Sequence, residues 1–104
     1  MSAIGKNSLI DSAPLEDLET EWTQNNMPAK REGGHLREII VSRRPAVNPS
    51  YDGGESRIVK LLTLENNQHI GTIHEIVMPD GSVPHSHPKD YTRRNCSRVR
   101  VADP

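Results

Sequence analysis

The sequence is short of the residues that usually fill a protein core. Its 104 residues include no Phe, one Trp (Trp22) and two Tyr (Tyr51 and Tyr91), and hydrophobic residues make up 33%. Soluble domains run at about 45–50% when glycine is counted with them. Aromatic side chains dominate the energetics of protein cores, so this core has to come from Ile, Leu and Val and is thin. A short chain also buries a smaller share of its surface than a long one, which leaves room for a second copy or a partner to complete it. A single cysteine, Cys96, excludes an intrachain disulfide and fits a reducing compartment. No stretch approaches the ~20 apolar residues of a membrane span. The opening MSAIGKNSLIDSA lacks the apolar centre of a secretion signal. The expectation is a cytoplasmic protein that does not engage a membrane. There is no CxxC metal motif, and the glycines of REGGH and YDGGE read as turn glycines rather than a phosphate-cradling loop.

Strong net charge is absent too, with 13 basic and 14 acidic residues giving −1. That balance hides a segregation. Five acids and no base lie between Asp11 and Glu21, whereas Lys89, Arg93, Arg94, Arg98 and Arg100 share the segment 89–100 with one acid, Asp90. An acidic head and a basic tail can neutralise each other, or leave a cationic face for an anionic partner.

Residues 1–10 carry no periodic signal and read as a flexible arm, with 11–104 as one small domain. In DSAPLEDLETEWTQNN, Leu15, Leu18 and Trp22 form an apolar stripe at helical spacing. Asp11 or Ser12 is the expected cap and Pro14 suits a first turn. The pattern predicts a helix over about 13–25, followed by a polar linker, MPAKREGG. The β-branched run HLREIIVSRR predicts a strand, stopped by Pro45, and residues 45–56 a long loop. RIVKLLTLE and HIGTIHEIVM flank NNQ, whose asparagines tolerate the positive φ of a tight turn, so a β-hairpin of 57–65 with 69–78 is predicted. Its imperfect alternation implies burial on both faces. SVPHSHPKDY holds two prolines and reads as a sheet edge or irregular loop; SRVRV alternates as a short terminal edge strand. The expected fold is α+β, one N-terminal helix packed on a small, mainly antiparallel sheet of four to five strands, with a small all-β barrel as the alternative.

The chemistry concentrates in PDGSVPHSHPKDY. In an extended segment His85 and His87 point the same way, and two imidazoles on one face can share a divalent transition metal, the one cofactor the sequence suggests. His74 is the candidate third ligand, eleven residues upstream of His85 across the Pro79-Asp80-Gly81 turn. His69 cannot join it from a regular strand, being five residues away. Glu75 should face opposite to His74, which makes Asp90 the better candidate carboxylate. Residues 78–88, MPDGSVPHSHP, resemble the first conserved motif of the cupin family, where a strand ends in a Pro-Gly-type turn and a proline-flanked His-x-His pair binds a metal inside a β-barrel. The likeness departs from that motif in its short glycine-to-histidine spacing. It also has Lys89, Asp90 and Tyr91 where the family has a glutamate. The 17 residues after His87 are too few for the rest of that barrel. What the resemblance implies is therefore confined to His85 and His87 as metal ligands.

Two functions follow as expectations. The first is a non-enzymatic interaction module, binding a macromolecule through a cationic C-terminal edge (Tyr91, Arg93, Arg94, Arg98 and Arg100) and the acidic helix. Its partner is a protein or a second copy of the chain, with nucleic acid, served by phosphate-binding arginines and Tyr91 as the one stacking aromatic nearby, as the other candidate. The second is a small metal-binding or ribonuclease-like, toxin-type enzyme centred on His85-Ser86-His87, in which imidazoles move protons and arginines stabilise phosphoryl charge. Cys96, set among cations, is a weaker candidate nucleophile.

Overall fold

The computed structural model describes residues 10–93 and 97–101. The chain runs β1 (Ile10–Ala13), α1 (Leu15–Gln24), α2 (Met27–Glu32), β2 (Leu36–Pro45), a 3₁₀ turn (Pro49–Tyr51), β3 (Glu55–Thr63), β4 (His69–Val77), β5 (His85–Thr92) and β6 (Arg98–Val101). All six strands join one open sheet in the order β1-β6-β5-β4-β3-β2. Every pairing is antiparallel except β1 with β6. The α+β expectation holds in outline, with six strands in place of four or five and two helices in place of one among the described residues. The sheet does not close, so the barrel alternative is set aside. No helix of the described residues is long and apolar enough to cross a membrane.

Helix α1 forms where its apolar stripe predicts, but the expected Asp11 or Ser12 cap is replaced. Those residues are drawn into β1, in register with β6, and Pro14 becomes the N-cap with no side-chain bond. The Pro14 carbonyl accepts from the N–H groups of Asp17 and Leu18 at 3.0 and 3.1 Å. Asn25 ends the helix, its side-chain N–H donating to the Glu21 carbonyl at 2.8 Å. Asn26 then adopts a left-handed conformation (φ 58°) and starts α2. The polar linker thus holds a helix of six residues, too few to display helical periodicity in the sequence. Pro28 suits its first turn, Lys30 and Arg31 suit its negative C-terminal end, and Met27 is buried.

The ladder sorts the side chains. Val59, Leu61, Ile73, Tyr91 and Val99 occupy linked positions on one face of the sheet, where Leu18, Trp22 and Met27 from the helices close a buried cluster over them. Trp22 meets Tyr91 edge to face at 5.8 Å, an arrangement that contributes about 0.5–1.5 kcal/mol beyond area burial. It fits because position 71 is glycine. A Cβ there would come within 2.6 Å of the Trp22 ring. Two of the three aromatics are thus spent on one contact in the core.

The hairpin appears close to its predicted bounds, with Asn67 at φ 56° in its turn, and its strands lie inside the sheet. The proline-rich segment is the larger correction. Residues 85–92 form an interior strand, not an edge or loop, with β4 on one side and β6 on the other. A register shift makes this possible: Thr72 pairs with Asp90 but Ile73 with Pro88, so Lys89 is an extra residue. Prolines are tolerated at such bulges, where the ladder lacks a bond. The terminal strand β6 is likewise not an edge, because β1 covers it. The exposed edge on the far side is β2, with Ile39, Ile40 and Val41 at the surface.

Candidate metal centre

The face away from the helices carries the histidines. In the ladder Ile58, His74 and His87 line up across three strands, as do Ser56, Ile76 and His85 in the next row. His85 and His87 share that face because they are two residues apart in β5, and His74 joins them because β4 pairs with β5 antiparallel. The three rings pack edge to face with centroids 5.0–5.4 Å apart. One ligand nitrogen from each lies within 4.8 Å of the other two, the one such group of metal-ligating side chains among the described residues. All three rings are half-buried.

Two nitrogens are closer still, His87 Nδ1 and His85 Nε2 at 3.0 Å, where one ring donates and the other accepts. Nitrogens bound to one ion at about 2.0–2.1 Å lie about 2.9–3.4 Å apart for bond angles from octahedral to tetrahedral. That pair already has the spacing of two ligands, and a nitrogen of the third ring lies within 4.8 Å of a nitrogen in each of the other two. His74 Nε2 is 2.6 Å from Ser56 Oγ, the kind of hydroxyl contact that orients a ligating ring. Tyr51 of the 3₁₀ turn lies against His85, with centroids 6.1 Å apart.

Two of the three imidazoles, His74 and His87, are held towards the neutral form. Burial lowers the His74 pKa, assisted by the nearby His85 and Lys89 charges. His87 is pushed down to about 4, first by burial and then by His74, His85 and Lys89. Neutral imidazole is the form that binds a metal. The same shifts couple the cluster to stability. Below about pH 6.5 the unfolded chain protonates histidines that the folded chain holds neutral. Stability conferred by His74 and His87 is therefore fully present above that pH and is lost as pH falls towards the folded His87 value of about 4. Urea titrations at pH 7 and pH 5 should differ by roughly 1–2 kcal/mol in the apo protein, below the full linkage value because the rings are partly solvated. The His74→Gln/His87→Gln variant should lose most of that difference.

The other expected residues go elsewhere. Asp90 shares the histidine face but turns to Arg98, with Oδ1 3.1 Å from Nη2, and to His69 at 3.7 Å. It is therefore not part of the three-histidine group, contrary to the expectation of a carboxylate ligand. Glu75 does face opposite to His74 as expected, where Arg31 donates to both its oxygens at 3.0 Å. Arg93 reaches α1 and donates to Glu21 at 2.8 and 3.1 Å, so the acidic helix and the basic tail meet within the chain. Tyr91 is buried in the core at 5% exposure, and Arg100, opposite Asp90 in the ladder, is exposed. Arg94 and Cys96 lie outside the described residues, as do positions 1–9 of the expected arm. Ser56 and Tyr51, which attend the rings, were not anticipated; their only sequence signal is parity with His74 across the hairpin for Ser56 and the long loop for Tyr51. Comparison with family models, curated proteins and solved structures finds no match to this chain.

Proposed function

We propose that the chain is a divalent transition-metal-binding domain whose ligands are His74, His85 and His87, with the ion held on the open face of the sheet. The observation that carries this reading is the convergence of three half-buried imidazoles, one ligand nitrogen from each within 4.8 Å of the others. Chance surface histidines have no reason to converge across two strands. Three ligands on one side leave at least one coordination position towards solvent. Structural zinc sites close with a fourth protein ligand, whereas catalytic ones keep a position for water or substrate, so the arrangement favours the reactive kind of centre. Imidazole donors suit zinc, iron, cobalt, nickel and copper.

The interaction module built on a cationic edge has less support, because Glu21 takes Arg93 and Asp90 takes Arg98. A ribonuclease-like use of the same arginines meets the same objection.

Titration of the apo protein with Co²⁺ and Zn²⁺ at pH 7.5, followed calorimetrically, should give one ion per chain with release of little proton. Repeated at pH 5, apparent affinity should fall as protons compete for the rings. An absence of saturable binding, or a stoichiometry unaffected by removing all three histidines, would defeat the proposal.

A further inference from the structure

The proposed centre has an unusual charge balance. Its donors are three imidazoles, a ligand that adds no charge to the ion it binds, and no carboxylate joins them among the described residues. The two nearest acids in the ladder are already committed. Glu75 points to the opposite face, where Arg31 holds it, and Asp90 pairs with Arg98. A bound dication therefore keeps its whole +2 charge. The bulge adds a further cation, since Lys89 is the extra residue between Pro88 and Asp90, two positions from His87, and is exposed. The surroundings are mixed: Tyr51 and Ile58 supply apolar walls beside His85 and His74, and Ser56 places a hydroxyl at the edge of the His74 ring. A half-buried site with two or three positive charges and no internal anion is completed most favourably by a small anion from outside.

We infer that the centre takes a small carboxylate-type oxyanion as its exogenous ligand and that Lys89 draws it to the metal. This rests on the metal-binding reading of the same three histidines. The ligand oxygen occupies the solvent-side coordination position, and the Lys89 ammonium offsets the remaining negative charge. No bond other than the coordinate bond forms or breaks.

The test uses the full chain loaded with Co²⁺, whose visible spectrum reports a change of ligand. Acetate should shift that spectrum saturably, while sodium perchlorate at matched ionic strength leaves it alone. Lys89→Gln should weaken acetate binding about 3–10-fold and Lys89→Glu further, with Co²⁺ affinity equal to or higher than that of the parent chain, because a repelling cation is gone. Co²⁺ bound at one per chain with a spectrum indifferent to acetate would overturn this inference and leave the metal site intact. Unaltered acetate affinity in Lys89→Glu would overturn the role of Lys89. Failure to bind Co²⁺ at all would remove both readings together.

Discussion

His87→Ala should lower Zn²⁺ or Co²⁺ affinity by about 100- to 1,000-fold. Structural zinc sites with four ligands are worth about 10–16 kcal/mol, so one ligand carries roughly 3 kcal/mol. His87 is the ring whose removal should matter most. It lies 3.0 Å from His85 Nε2 and packs edge to face on His74, and its depressed pKa means that few protons must be displaced there. His74→Ala and His85→Ala should show losses of the same order, and any double variant should abolish binding. His35→Ala is the control. His35 is exposed on the connection into β2, so that variant should bind metal as the parent chain does. Trp22, the only tryptophan and buried in the core, gives a fluorescence signal that certifies each variant as folded. Metal should raise the melting temperature of the parent chain and of His35→Ala, but not that of His87→Ala. Equal affinity in the parent chain and His87→Ala, both folded, would sink the assignment.

Much of this centre could be read in the chain of letters, and the reason is local. The i, i+2 spacing of His85 and His87 fixes their common side once the segment is extended. The hairpin signal around Asn66 and Asn67 fixes β4, and His74 follows from antiparallel return across the Pro79-Asp80-Gly81 turn. What escaped is long-range or depends on backbone irregularity. Prolines at 84 and 88 argue against an interior strand, and only the register shift between Thr72 and Ile73 accommodates Pro88 there. The same shift sets Asp90 beside Arg100 and in reach of Arg98, away from the rings. Nothing in the first fourteen residues signals that Ile10–Ala13 lie parallel to Arg98–Val101, because parallel pairing joins segments far apart in sequence without a turn to announce it. Tyr91 shows how composition misleads in detail. An aromatic among arginines suggests stacking at a surface, yet in a chain this poor in aromatics it is needed in the core, against Trp22. The charge segregation was visible, but not that Glu21 and Arg93 would satisfy each other across 72 positions.

The largest loss of stability should come from a residue that no motif marks. Arg31→Met should destabilise the fold by about 3 kcal/mol. Arg31, near the end of α2, places one planar guanidinium between two carboxylates. Nη1 and Nη2 donate to Glu75 and Nε and Nη2 to Glu38, each at 3.0 Å. The partners differ in what they lose. Glu38 is well exposed and can return to water, but the Glu75 side chain is 7% exposed beneath the helix. Its ionised oxygens, deprived of Arg31, have little solvent to turn to, and a buried charge left unpaired is far costlier than the pair was beneficial. Arg57, opposite Glu75 in the ladder, is held by Glu55 at 2.6 Å and does not freely take over. Burial alone would depress the Arg31 pKa, but its bonds to Glu38 and Glu75 outweigh that and raise it, so the guanidinium is charged across the whole accessible pH range. Two further variants test the same pair. Arg31→Lys should cost an intermediate amount, since a single ammonium cannot serve four oxygens in one plane. Arg31→Met combined with Glu75→Gln should recover at least half of the loss, because the stranded charge has been removed with its partner. Urea unfolding followed by Trp22 fluorescence measures all three. A double variant no more stable than Arg31→Met alone would mean that the guanidinium acts by packing α2 on the sheet, and that Glu75 is stabilised by something other than this pair.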